Sequence, residues 1–274
     1  MQGFDPKFKD FPDYIIGITK EIWEDRGIAT LHEYYAKDIV VRMPSGVSTG
    51  NQGVIGATMA TLAEFPDRKL LGEDVIWSGT PETGMLSSHR ILSTATHLGD
   101  GGFGAATGKP LVYRIIADCH ARNNAIDDEW LVRDQGAIVR QMGWEAKAYA
   151  ADLIAREGGP AAATQPLCPK TDIQGPYKGR GNDNEWGVKY AAILERIMAA
   201  DLSVIPAEYD RAVQCEYPGG ITAYGPDAAD RFWMALRAAL PNAIFKIAHQ
   251  FGRADALMQP RAALRWSLSG THDG

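Results

Sequence analysis

Near the start of the chain, apolar residues fall at helical spacing. Phe11, Ile15, Ile18 and Ile22 stand four, three and four positions apart, the stripe of an amphipathic helix. Asp10 and Pro12 suit its start and Gly27 its end, so a helix is predicted over 11–26. Residues 28–35 read as a second, short helix and 39–43 as a strand. Residues 51–64 place Val54, Thr58 and Leu62 on one side of a third helix, which Pro66-Asp67 stops. The period then changes. Segments 70–77, 85–97, 111–122 and 128–132 are rich in β-formers. Asn123-Asn124 joins the last two and tolerates the positive φ of a tight turn. Helices first and long strands afterwards predict an α+β unit with an antiparallel sheet. Strands of this length curl, so the expected shape is a cone of curved sheet with three helices on its inner face.

The same unit occurs twice. Shifted by about 175 positions, Pro66-Asp67 falls on Pro241-Asn242, Arg90 on Arg265, and Thr96-His97 on Thr271-His272. Tyr35 and Pro44 meet Tyr209 and Pro218 after a one-residue slip. The stripe Phe11, Ile15, Ile18, Ile22 overlies Trp186, Tyr190, Ile193 and Ile197. A repeat of this length is a whole domain. Between the copies, 144–157 reads as a helix. Residues 158–181 hold Gly158, Gly159, Pro160, Pro166, Pro169, Gly175, Pro176, Gly179 and Gly181, a density that forbids regular structure and marks a linker. The expected organisation is a first domain over 11–157, a linker over 158–181 and a second domain over 182–274. The second copy stops two residues after His272, before any counterpart of the last two strands, so a complete pocket is expected only in the first.

Composition narrows the class. The chain has 274 residues, an apolar fraction of 45% and a net charge of −6, so it supports real cores. It has no basic run for nucleic acid. No apolar stretch is long enough for a membrane span. Met1 to Asp10 lacks the apolar core of a secretion signal. Three cysteines, Cys119, Cys168 and Cys215, form no paired spacing. Reduced thiols and a cytoplasmic location are expected. None of the six histidines forms a His-x-x-x-His pair, and the glycine-rich 99–108 leads into a strand, unlike a phosphate loop. No metal and no cofactor is expected.

The run Thr96-His97, Gly101, Thr107-Gly108, Asp118, Trp130-Leu131-Val132-Arg133-Asp134 and Arg140-Gln141-Met142-Gly143 resembles the SnoaL-like polyketide cyclase family, of the nuclear transport factor 2-like superfold. The resemblance covers most of 11–143 and returns, incomplete, over 184–274. It implies a cone closed by three helices. It leaves the reaction open, because this superfold hosts cyclases, isomerases, dehydratases and pure binders. Ala105-Ala106 stands where the family often has Pro-Pro, and Asn123-Asn124-Ala125 where it commonly has Asp-Gly-Lys, so the loop and the substrate are not carried over.

Candidate chemistry centres on Asp118, with Ile116 and His120 on its strand face. Facing into an apolar cone, such a carboxyl would suit a general base beside a carbonyl. Paired with Arg114 or Arg122 at a strand edge it would be structural. His97 and His120 are the candidate donors to a developing oxyanion; each could equally be a structural or solvated histidine. Trp23, Tyr35, Met43, Trp77 and Trp130 are candidate pocket walls, and aromatics at such spacing are more often plain core. Two functions follow. One is a cofactor-independent cyclase, isomerase or dehydratase acting on a small apolar carbonyl compound. The other is a non-catalytic small-molecule-binding or assembly protein, with the two copies paired inside the chain or two chains paired as a homodimer. An Asp118 facing a closed apolar cavity favours the first, and an Asp118 facing away from it the second.

Overall fold

The Asp10 side chain accepts a hydrogen bond from the amide of Asp13 and starts α1 (Phe11–Trp23), satisfying a donor that no helical carbonyl reaches. The predicted stripe is buried: Phe11, Ile15, Ile18 and Ile22 all face the core. A 3-10 turn (Ile28–Thr30) and α2 (Leu31–Tyr34) lead into β1 (Tyr35–Met43) and β2 (Gly46–Thr49). Then come α3 (Asn51–Glu64), β3 (Lys69–Thr80), β4 (Gly84–Thr96), β5 (Pro110–Arg122), β6 (Ala125–Arg133), α4 (Gln135–Gln141) and α5 (Ala146–Arg156). This computed structural model describes residues 1–273, and the chain divides into two units.

The first unit is built on a six-stranded sheet in the order β2-β1-β6-β5-β4-β3. All pairings are antiparallel except β1 with β6, which is parallel. Asn123 and Asn124 take φ of 52° and 65° between β5 and β6, as a two-residue hairpin turn requires. On β5, Leu111, Tyr113, Ile115, Ala117, Cys119 and Ala121 all point to the helices and are buried. The core forms two clusters. One gathers Tyr14, Ile15, Ile18, Ile39, Val41, Ala117 and Cys119; the other gathers Phe65, Ile91, Tyr113, Ile115 and Ile138. Trp23 and Leu131 pack against both. Full burial of each large apolar side chain contributes about 1.5–3 kcal/mol.

Between α5 and the next helix the chain holds no helix or strand, as its Gly and Pro content dictates. It is nevertheless fastened down, and the first unit extends through Lys178. The Leu167 amide donates to the Pro44 carbonyl at 2.9 Å, Arg42 Nε donates to Asp172 at 2.6 Å, and Arg42 also donates to the Ile173 carbonyl. The Tyr177 amide donates to Asp128 Oδ2 at 3.0 Å. Arg42 and Asp128 form an ion pair with side chains 3% and 0% exposed. The expected linker is in fact a strap on the outer face of the sheet. Its anchor is a charge pair that needs the strap's polar groups to satisfy it.

The second unit runs through α6 (Glu185–Met198), α7 (Val204–Glu208), β7 (Gln214–Tyr217), β8 (Ile221–Tyr224), α8 (Pro226–Ala239), β9 (Ile244–Arg253) and β10 (Arg261–Ser269). This is the order of the first unit through β4. Local bonds recur too. Gly50, φ +88°, donates to Ile39 ahead of α3, and Gly225, φ +80°, donates to Val213 ahead of α8. Asp67 accepts from the Thr96 amide, and Asn242 accepts from the Thr271 amide. Both paired landmarks lie 175 positions apart (225 − 50 and 242 − 67). The helix stripe does not carry over. In α6 the buried side chains are Ala191, Leu194, Ile197 and Met198, while Trp186 and Tyr190 are exposed. Among the described residues this unit has only two two-stranded sheets, β9 with β10 and β7 with β8, so α6 has less sheet to cover than α1. No helix among the described residues is long and apolar enough to cross a membrane.

Candidate active site

The strand register sorts the candidate residues onto two faces. On the outer face, Asp118 sits between Ser88 and Trp130, and Trp130 is opposite Arg42. His120 lies beside Leu86 and Asp128 on the same side. Ile116 shares this face and is 49% exposed, so the side carrying Asp118 is not the cone interior. The expectation that Asp118 points into the cone is corrected by its register. Asp118 and His120 are nevertheless buried, 7% and 5% exposed. His120 donates to Asp127 at 2.5 Å and packs on Tyr177, ring centres 5.0 Å apart. Trp130, expected in the pocket wall, instead stacks under the Arg42 guanidinium at 4.5 Å.

His97 lies on the inner side, apart from Asp118 and His120. Its Nε2 contacts Glu64 Oε1 at 3.2 Å, and Nδ1 accepts from the Thr107 amide at 3.3 Å with the Thr107 hydroxyl at 3.1 Å. Glu64 also accepts from the amides of Gly102 and Phe103, and its own carbonyl accepts from Leu98 and Gly99. Both His97 ring nitrogens are therefore committed to holding the 98–108 loop on the end of α3. A Cβ on Gly99 would lie 2.1 Å from the Ala63 carbonyl oxygen, so the loop lies this close only with glycine there.

The inner face carries a different polar group. One cross-strand row runs Val41, Glu129, Cys119, Ser87, Trp77. In the next, Leu131, Ala117, His89 and Val75 stand side by side. Side chains directly opposite in such rows lie about 5 Å apart at Cβ. Glu129 is buried, and burial pushes it up to about 7, because an apolar setting disfavours the charged carboxylate. Burial, and then the charge of Glu129, raise Tyr35 and Cys119 well above their ordinary ranges, so both stay protonated. Burial drops His89 to about 4, which leaves a neutral imidazole 3.2 Å from the Ser87 hydroxyl. Tyr35, Met43, Trp23 and Trp77 all pack against the first core cluster. The sequence named these four as candidate pocket walls, and here they are neighbours of the core; Glu129, His89 and Ser87 were not named, although two-residue alternation from Leu131 places Glu129 on their face.

The arrangement supplies one carboxyl poised near neutrality, surrounded by neutral donors. That is the protonation pattern for removing a proton beside a carbonyl. In the second unit, a surface cleft is lined by Arg180, Asp183, Glu195 and His249, with no aromatic wall.

The family model of the SnoaL-like polyketide cyclases matches residues 14–142. No curated protein matches the chain. Among solved structures, wild-type IdmH of Streptomyces antibioticus, a candidate polyketide cyclase, is 23% identical over 48% of this chain and 97% of its own, with a TM-score of 0.42. A SnoaL-like polyketide cyclase of Agrobacterium tumefaciens is 17% identical over 48% of this chain and 97% of its own, TM-score 0.40. TsrD of Streptomyces laurentii is 14% identical over 49% and 98%, TM-score 0.41. Likeness at that level carries no argument about chemistry. Taken with the mixed sheet, its helices and the sequence landmarks, the match places the first unit, over residues 14–142, in the SnoaL-like polyketide cyclase family.

Proposed function

We propose that the first unit transfers a proton beside the carbonyl of a small apolar, polyketide-like compound, with Glu129 as the general base and no cofactor. The step is ring closure by intramolecular aldol addition, or a related isomerisation or dehydration. One observation carries this reading: on the helix-covered face, a carboxyl that is not held by a cation is pushed to about 7 by burial. Near neutral pH it exists in both forms, so it removes a proton from carbon and returns it to oxygen or carbon in the same cycle. The Tyr35 hydroxyl and the neutral His89 ring are the proposed donors to the enolate oxygen. Asp118, His97 and His120, expected in these roles, stand on two faces and have other partners. An Asp118 facing away from the cone is the outcome set for the binding reading, and Glu129 is what restores the acid–base reading.

The test uses a general carbonyl acid. Exchange of the α-hydrogens of 2-tetralone in D2O, followed by NMR, is expected to be faster with the wild type than with Glu129→Gln by on the order of 10²–10⁴, the usual worth of a positioned base. Equal exchange in the two proteins would leave small-molecule binding as the function.

A further inference from the structure

The inner face holds a second polar group, away from Glu129, whose charges are not balanced. Arg68 follows the turn after α3 and is 3% exposed. Its Nε donates to the Ser93 hydroxyl at 3.2 Å, and its guanidinium lies over Trp23 at 4.6 Å and near Tyr113 at 6.0 Å. Arg133 stands opposite Ile115 on the same face, one step diagonally from Tyr113. Among the described residues, Arg68 Nη1 and Arg133 Nε are buried without a hydrogen-bond partner, and no carboxylate pairs with either arginine; the buried Tyr113 hydroxyl has Arg68 as its neighbour. Burial lowers Arg68 to about 10; the neighbouring Tyr113 acts against this and the charge of Arg133 with it, so Arg68 remains a cation at neutral pH.

A buried cation without a counter-charge is costly, and a second, half-exposed cation beside it adds repulsion. Two arginines with unpartnered guanidinium nitrogens beside a phenol on one inner face are what an oxyanion needs. We infer that Arg68, Arg133 and Tyr113 form a subsite for the carboxylate of an elongated apolar substrate. A carboxylate suits it better than a phosphate. A planar guanidinium fork matches two carboxylate oxygens, and the surrounding Trp23, Tyr113 and Leu131 offer apolar walls where a phosphate's remaining oxygens would find no donors. Arg133 lies four residues along β6 from Glu129, roughly 13 Å at the rise of an extended strand. The substrate therefore carries its acid on the order of 10 Å from the carbon that reacts. This names the substrate class of the proposed function and rests on that reading only for where the reacting carbon lies.

The experiment is thermal unfolding of the full chain with 2-naphthoate, with its methyl ester, and with inorganic phosphate at matched concentration. Naphthoate is expected to raise the Tm, with little or no response to the ester or to phosphate. Arg68→Met is expected to abolish the naphthoate response while leaving the unliganded Tm equal or higher, because an unpaired buried charge is removed. Arg133→Gln, at a half-exposed position, is expected to weaken naphthoate at least tenfold. Equal responses to acid and ester, a phosphate response as large as that to naphthoate, or a full naphthoate response in Arg133→Gln would each overturn the inference. Glu129→Gln is expected to keep the naphthoate response, so failure of the acid–base reading and failure of the subsite are read separately.

Discussion

Replacing Glu129 by Gln removes the titrating group while keeping the shape, and its effect on stability is calculable as a function of pH. The ordinary glutamate value is 4.5, and in the folded protein Glu129 is raised to about 7. A raised folded value means that the folded state binds the proton more tightly. Below 4.5 the group is protonated in both states, and the folded state carries no charge penalty. As pH rises from 4.5 through 7, stability is lost. At about 1.4 kcal/mol per pH unit, the loss reaches roughly 3 kcal/mol at pH 8. His89 acts in the opposite sense, since burial lowers it from 6.5 to about 4. Its stability contribution is present above 6.5 and is lost as pH falls toward 4. Between 4.5 and 6.5 the two slopes oppose each other, so the wild type hides both. The difference between Glu129→Gln and wild type does not. Urea unfolding at pH 4.5 is expected to give near-equal stabilities. At pH 8 the variant is expected to be more stable by roughly 3 kcal/mol, on the order of 10 °C in Tm for a unit of this size. A difference that stays constant from pH 4.5 to 8 would refute the buried, neutral-leaning Glu129.

The mirror-image variant, His89→Asn, is expected to gain stability over wild type only as pH falls from 6.5 to 4, by about 3 kcal/mol in the same unfolding series. Asp118→Asn is expected to leave α-hydrogen exchange of 2-tetralone within about threefold of wild type, because the residue lies on the outer face; a loss above about 10² would return the base to Asp118. Asp128→Asn uncouples a buried charge from Arg42 and is expected to cost about 3–5 kcal/mol, with faster amide exchange at Tyr177 as the strap loosens. Gly99→Ala forces the 98–108 loop off the Ala63 carbonyl and is expected to cost about 1–3 kcal/mol, read as earlier proteolytic cleavage within that loop.

Much of the fold was legible because local period and element type agree. Phe11 to Ile22 marks α1, the bounds Asn51–Glu64 of α3 are those expected, and Asn123-Asn124 names its turn. What alternation does not fix is which face turns inward. Ile116 suggested that the Asp118 side was internal, whereas the unbroken apolar set from Leu111 to Ala121 on the odd positions marks the true inner face. The polar groups there, Glu129, His89 and Arg68, are set into that apolar face. The strap was illegible for another reason. Gly and Pro density excludes regular structure but is silent on packing, and the pairing of Arg42 with Asp128 and Asp172 joins residues 86 and 130 positions apart. The short ribbons β2 and β8, four residues each, carry too little alternation to stand out.

The measurement closest to the central claim is the titration of the Glu129 carboxyl itself, by its 13C chemical shift between pH 3 and 9, assigned by the resonance that disappears in Glu129→Gln. The account predicts a midpoint near 7, set by burial on the helix-covered face. A midpoint near the ordinary value of 4.5 would contradict it.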